Sequence, residues 1–364
     1  MFRKLFLLIP VCLFAQKDSE QSLSQTGSAC GCPWESSVAL HRPCDAMLEY
    51  YATPSAGPRV KGGAGYFMTG SYLYWTGRES GLEFVTSGVQ NFGIEPEKRG
   101  EVFEPDFRYY SGFKFGLGVS LEHDDWDLFG QVTWIQPKGT KRFVTRDSAT
   151  TDLQRTWYIG GSINSDFIPY KANAEWKLQF QVVELELGRN SFFSKYLSFR
   201  PHFGLKGTWQ QQDYVVHYDS VTNLGVMQEE RMHITQDSYG LGMRTGFDGA
   251  WHFNKYWSFI GDVAFSGLWS YFDVQRSDRI GTNGVDFVRF RTENGTHTIQ
   301  PVLEFATGLR GEVWFFNSLY HLSIDMLWEE QRWFQMNKLY RVLEETDHGS
   351  LVMQGFTLRL RFDF

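Results

Sequence analysis

Between residues 197 and 209 the chain alternates without a fault. Leu197, Phe199, Phe203, Leu205 and Trp209 fall on one side, and Ser198, Arg200, His202, Lys206 and Thr208 on the other. A period of two marks a strand, because successive side chains point to opposite faces. The same pattern recurs at 65–77, 107–121, 126–135, 176–187, 239–251, 257–269, 303–315, 320–328 and 351–364. From residue 107 onward short connections (122–125, 189–196, 252–256, 316–319) alternate strictly with long ones (137–172, 219–236, 273–297, 331–350). A soluble sandwich or propeller has no reason for that asymmetry. A bacterial outer-membrane barrel has one, in short periplasmic turns and long extracellular loops. The spacing predicts an all-β, antiparallel, up-and-down transmembrane barrel of ten strands over 63–364, with twelve as the alternative. An even count returns both ends of the barrel to the periplasmic side.

Composition fits this class. Mean hydropathy is −0.35, the value of a soluble protein. Yet 13 Trp, 17 Tyr and 32 Phe make 17% of the chain aromatic against 21% charged. A barrel in lipid resolves the conflict, since lumen-facing polar residues cancel lipid-facing apolar ones in any average. Trp126, Trp251, Trp257 and Trp269 stand near strand ends, where interfacial girdles form. The net charge of −7 argues against nucleic acid as a partner. Two details of phase stand out. Between 176 and 187 the apolar set slips by one residue near Val182 and Val183, which predicts a bulge. LEFVTSG (82–88) reads either as outer loop or as an extension of the first strand.

The N-terminus, MFRKLFLLIPVCLFA, has the form of a signal peptide: Arg3 and Lys4, a short apolar segment, and small-residue cleavage after Ala15. Residues 16–62 are rich in Ser, Gly, Pro and Gln and read as a periplasmic leader. They carry Cys30, Cys32 and Cys44, an odd number. One internal bridge with a free thiol and pairing between chains stand as equal alternatives. The intermolecular reading makes other envelope proteins, or a second copy, disulfide partners.

No catalytic or cofactor motif is present: no G-x-S-x-G, H-E-x-x-H, Walker loop or C-x-x-C. The chain is expected not to be an enzyme and to need no cofactor or metal. His123, Asp124 and Asp125 are read as solvated turn charge. The polar faces place Lys114, Arg200, His202, Lys206, Arg244, Asp262, Glu304, Arg310, Glu312 and Asp325 in the lumen, with Glu175 and Lys177 assigned there too. Acids and bases nearly cancel, so no ring of one sign, the usual source of ion selectivity, emerges.

Several stretches resemble the Legionella-type major outer membrane protein family. They are SGFKFGLGVSLEHDDWDLFGQVTW (111–134), YLYWTGRESGLEFV (72–85), ELELGR (184–189) and LSFRPHFGLKG (197–207). The resemblance covers roughly 66–364 and implies a pore-forming protein of the cell outer membrane, passing ions and small solutes. The cysteine leader is similar instead to disulfide-linked envelope proteins of chlamydia-like bacteria. The tail FTLRLRFDF, with Phe362 and terminal Phe364, resembles the closing-strand signal read by the barrel-assembly machinery. Ten strands leave a narrow bore, so a structural or surface-interaction barrel tied to the envelope is the alternative, and a barrel hydrolase a more distant one.

Overall fold

The computed structural model describes residues 56–58, 60, 65–87, 100–121, 126–145, 153–159, 167–222, 225–282, 285–340 and 349–364. Its wall is ten antiparallel strands: β1 (Tyr66–Glu79), β2 (Tyr109–Ser120), β3 (Trp126–Ile135), β4 (Phe167–Arg189), β5 (Leu197–Thr222), β6 (Met227–His252), β7 (Trp257–Thr282), β8 (Val285–Phe315), β9 (Tyr320–Trp333) and β10 (Leu351–Asp363). Each pairs with its neighbours in sequence, and β10 closes the ring on β1 from Phe67↔Asp363 to Glu79↔Leu351. Beyond Pro137, β3 resumes as Lys138–Thr145, which stays on β4 after a register shift between Gly139 and Arg142. Ten strands, not twelve, make the barrel.

The outward face explains why this ring belongs in lipid. On β5, β6 and β7 it carries only apolar, Thr, Pro or Gly residues from Leu197 to Trp209, Trp251 to Tyr239 and Trp257 to Trp269. Each interval is about 12 residues; at about 3.4 Å per residue and a tilt of about 40–45° it rises about 30 Å, the thickness of a hydrocarbon core. Trp251 and Trp257 mark the lower rim; Trp209, Tyr239 and Trp269 mark the upper.

At the upper rim the apolar parity inverts. Below it the odd positions of β5–β7 are apolar and outward. Above it the even positions are apolar and inward: Tyr214, Val216 and Tyr218 on β5, Met232 and Ile234 on β6, Phe272, Val274 and Ile280 on β7. The outward partners there are mostly polar, among them Asp213, His217, Arg231, His233, Asp273 and Arg279, as lipid has ended. The slip on β4 has this same cause. Trp176, Leu178, Phe180 and Val182 face inward, Val183 and Leu185 face lipid, and the register runs unbroken through Thr133↔Val182 and Val132↔Val183. There is no bulge at that point.

The inversion also corrects the connections expected at 219–236 and 273–297. Their described residues, apart from Gly225 and Val226, are strand: β5 and β6 run 26 residues each, and Gly225 between them has a φ of +78°, which suits glycine. β7 and β8 likewise continue far above the membrane. The inner faces of these extensions are covered by segments folded into the barrel mouth. Val85–Thr86, Val102–Phe103 and Gln154–Arg155 form a separate three-stranded sheet there, so 82–88 does not extend β1. With residues 334–340 they complete a dry core that includes Trp75, Phe84, Trp157, Trp176, Phe180, Trp333, Met336 and Leu339. Val85, Phe84 and Trp157 have essentially no contact with solvent. The outer end of the barrel is plugged.

Residues 1–15, expected to be a signal, Cys30, Cys32 and Cys44 of the expected leader, and the expected turn 122–125 lie outside the described residues. The leader is described only near its end, where the Ala56 N–H donates to the Asn190 carbonyl, 3.1 Å away at the periplasmic rim.

Candidate functional site: the barrel lumen

Between the plug and the periplasm the same strands turn charged side chains inward. β2 supplies Lys114, whose alternate neighbours Gly116 and Gly118 are where a side chain would collide with Phe129 and Phe67. Those two rings stack at 5.6 Å across the glycines. The glycines in the greasy-backed strand 111–121 therefore make room for aromatic rings, not for an open bore.

Directly beneath the plug sit two lysines. The Lys114 ammonium lies 4.8 Å from the Trp75 ring and pairs with Glu329. The Lys206 ammonium lies 5.1 Å from the Trp333 ring and pairs with Glu304 and, at 2.9 Å, with Glu184. Each has an aromatic face above and carboxylates beside it, which satisfies a cation that burial would otherwise penalise. Trp75 is itself fixed by donating its indole N–H to the Thr357 hydroxyl at 3.0 Å.

One level down, the Arg244 guanidinium donates to Glu186 at 2.6 Å, to Glu304 at 3.1 Å and to His202 Nε2 at 2.8 Å. Arg200 forks onto Asp127, with Nε to Oδ2 at 2.9 Å, and reaches Glu186 at 3.0 Å and Asp248 at 2.7 Å. On the opposite wall Asp325 accepts from Arg310 at 2.8 and 3.0 Å and from Arg359 at 2.8 Å. At the lower mouth Asp363 joins Arg361 and His321 at 2.7 Å each, with Glu312 3.6 Å from the same imidazole.

Many of these pairs link strands that are not neighbours: Lys114 of β2 with Glu329 of β9, Lys206 of β5 with Glu304 of β8, Arg200 of β5 with Asp127 of β3. The two lysine pairs reach across the bore, whereas the Arg200 guanidinium lies along the wall, over Gly188 of β4. What remains is a cavity of about 170 Å³, lined among others by Thr69, Lys114, Gln131, Glu184, Arg200, Asp262 and Arg359. That is room for on the order of ten waters. Asp262 stands beside Asp248 in register, and Asp248 is the one engaged by Arg200.

Lys114, Arg200, His202, Lys206, Arg244, Asp262, Glu304, Arg310, Glu312 and Asp325 thus all face the interior, nine of them within the ion-pair network and Asp262 at its edge in the cavity wall. Glu175 and Lys177 do not. They pair with each other at 3.0 Å on the outer surface. Both lie above the upper rim on β4, where parity has inverted and Trp176 and Leu178 take the inside. Sequence reasoning missed the plug, whose signal was present in the even-numbered apolar sets at 214–218, 232–234 and 272–280. Among the described residues no group of three or more His, Cys, Asp or Glu is arranged to hold a metal ion.

One buried carboxyl of the wall faces the plug. Glu79 lies above the upper rim, five residues past Tyr74 on β1, and is wholly buried. Gln212 Nε2 donates to its Oε1 at 3.2 Å, while Oε2 has no hydrogen-bond partner. Burial pushes its pKa up to about 8, against the smaller opposing effects of the Gln212 amide and the nearby Trp176 indole, whose N–H donates to Gln212 Oε1 at 3.2 Å.

The model of a family described as the Legionella pneumophila major outer membrane protein precursor matches residues 63–364. No curated protein matches the chain by sequence. Three solved barrels are similar at low identity. The outer membrane protease OmpT of Escherichia coli shares 10% identity over 85% of this chain and 100% of its own, at a TM-score of 0.35. The toluene transporter TodX of Pseudomonas putida shares 8% over 90% and 95%, at 0.29. A FadL homologue of Pseudomonas aeruginosa shares 9% over 82% and 89%, at 0.21.

Proposed function

The chain belongs to the Legionella major outer membrane protein family, and from that premise we propose that it forms a narrow, polar pore for ions and small hydrophilic solutes, closed at its outer end in this conformation. The observation that carries the reading is the contrast between the two halves of one lumen. The outer half is filled with Trp, Phe, Tyr and Met. The chain can therefore pack its own interior with apolar side chains. Within the membrane span it instead commits Lys, Arg, Asp and Glu to a cavity, although buried charge is seldom the more stable filling. A water-filled path gives those charges a purpose. Passage requires the inward-folded segments to move aside, because the plug above the cavity is dry.

A second reading, a structural barrel with no conducting state, is favoured by the same plug and by the ion pairs that cross the bore. Planar-bilayer recording separates the two. Discrete conductance steps from the purified parent, or from a variant with a loosened plug, support the pore. Silence from both, with heat-modifiable migration proving that each is folded, leaves the structural barrel. In either reading the protein is not an enzyme, the segment 1–15 is a cleaved signal, and the leader 16–62 is periplasmic. Its cysteines Cys30, Cys32 and Cys44 then join neighbouring envelope proteins or a second copy of this chain, which non-reducing gels of envelopes display as ladders collapsing on reduction.

A further inference from the structure

Register sorts the lumen charges into two inward rows. One runs from Arg200 of β5 through Asp248 of β6, Asp262 of β7 and Ala306 of β8 to Glu329 of β9, each opposite the next. The other runs from Arg310 of β8 through Asp325 of β9, Arg359 of β10 and Ser71 of β1 to Lys114 of β2. Lys114 and Glu329 answer each other at the row ends. What is left does not balance locally. In the first row Arg200 is shared among Asp127, Glu186 and Asp248. Asp262 has no hydrogen bond or ion pair among the described residues. Its inward neighbours Ile260, Ala264 and Ala306 have no polar side-chain atom to offer it.

The second row has the opposite surplus. Arg310 and Arg359 share the single carboxylate of Asp325. Their side chains are 26% and 24% exposed, and that of Asp325 only 1%, so the guanidinium groups and not the acid front the water. Arg359 gives Asp325 its Nε alone, and its terminal nitrogens have no hydrogen-bond partner among the described residues. Ser71, opposite Arg359, is buried with its Oγ unpartnered. Asp262, Arg310, Arg359 and Ser71 all line the cavity, and β7 lies three strands from β10 and four from β1 around the ring. A lone acid thus stands on one side of the cavity, with a surplus base and an orphan hydroxyl on another. Buried polar groups are ordinarily hydrogen-bonded, and a molecule bearing both signs would complete all three. At about 170 Å³ the space falls below the roughly 300–1,000 Å³ of pockets for drug-sized ligands, so that molecule is small. We propose that the cavity binds a small zwitterion of the α-amino acid type, its ammonium on Asp262 and its carboxylate on Arg359 and the Ser71 hydroxyl. The inference rests on the pore reading, because it names the class of solute the lumen selects.

The test titrates the whole protein, folded in detergent micelles, with L-alanine, propionate and ethylammonium by calorimetry. These are similar in size and carry both charges, the negative one alone and the positive one alone. L-Alanine should bind roughly tenfold more tightly than either, the factor one hydrogen bond to a charged group supplies. Asp262→Asn breaks no existing bond and should bring L-alanine down to the level of propionate. Ser71→Ala should weaken it by roughly threefold, as for one neutral hydrogen bond. Heat-modifiable migration should be unchanged in both variants. Equal binding of L-alanine and propionate by the parent, no binding of either, or an undiminished affinity in Asp262→Asn overturns the proposal. Swelling of liposomes that contain the parent, in L-alanine and in glycerol, tests the pore separately. Swelling in glycerol without a calorimetric preference for L-alanine refutes the site and leaves the pore, whereas selective binding without swelling refutes the pore and leaves the site.

Discussion

Arg276 grips Asp278 two residues farther along the same inward face of β7, Nε to Oδ1 and Nη2 to Oδ2, both at 2.9 Å. Both side chains are wholly buried in the outer core. Arg276 also donates Nη2 to the Tyr158 carbonyl at 2.5 Å and Nη1 to the Tyr340 carbonyl at 2.9 Å. One guanidinium therefore ties two of the inward segments to the wall. Gln236 adds a second tie to 334–340, donating to Met336 O and accepting from the Lys338 N–H, each at 2.9 Å. The plug is fastened by a few buried polar contacts set in an apolar core.

Arg276→Met should loosen that plug without unfolding the barrel. Removing one member of a buried ion pair costs about 3–5 kcal/mol, because the carboxylate loses its main counter-charge. The membrane-level wall contains none of these contacts. Limited proteolysis of the folded protein should then cut near 153–159 or 334–340 at least ten times faster than in the parent, while heat-modifiable migration persists. Cleavage at the parental rate would mean that apolar packing alone holds the plug.

Glu79 makes the plug sensitive to pH. Its pKa, about 8 in the folded protein against 4.5 when exposed, means that the closed plug binds a proton the opened plug releases. Closure is therefore favoured fully below about pH 4.5 and weakens as pH rises through 8. The full span corresponds to roughly 4–5 kcal/mol at 1.36 kcal/mol per pH unit. Hydrogen exchange of the backbone at 82–86 should accelerate between pH 6 and 9 by more than the intrinsic rate. Glu79→Gln should remove the excess, and an identical profile in that variant refutes the assignment.

In the lumen, Lys206 is the shared counter-ion of Glu184 and Glu304. Lys206→Met should leave two inward carboxylates facing one another with Arg244, and for Glu184 also Lys114 and the Gln131 amide, to compensate, at a loss of about 3–5 kcal/mol. Lys206→Met/Glu304→Gln should recover part of it. Heat-modifiability curves check the order parent, double variant, single variant. If the single variant melts like the parent, water in the cavity already screens the site.

How much of this was legible beforehand follows a physical line. Leu197 to Trp209 and Trp257 to Trp269 announced strand, face and membrane together, since lipid tolerates no charge on an outward position. Ten strands and the closure of β10 on β1 followed from counting short connections. The stretch from Trp176 to Leu187 misled, because two apolar solvents act on one strand in succession: the plug on its inner face, then lipid on its outer. Pattern alone gives the phase change and not its cause. Pairing partners such as Lys114 with Glu329, or the junction of Arg276 with Tyr158 and Tyr340, depend on segments far apart in sequence. No local periodicity encodes them.

The seam gives the final prediction. The Phe364 N–H donates to Tyr66 O at 3.0 Å, the last rung between the two ends of the barrel. Its ring lies 5.8 Å from Phe362 and 6.5 Å from Tyr66, and Phe362 stacks on Tyr320 at 5.7 Å. These rings form an aromatic patch across β9, β10 and β1 at the lower rim. Without β10, both β1 and β9 would present unpaired edges to lipid, at several kcal/mol for each unsatisfied backbone group. Deleting 356–364 should abolish insertion outright. Phe364→Ser keeps the backbone rung and removes only the ring, so it should reduce the yield of inserted protein without abolishing it. Heat-modifiable migration of outer-membrane fractions measures both. A truncated chain that still inserts and shifts like the parent would show that β1 and β9 can close on each other, and that the seam at Phe364 is not required for the ring.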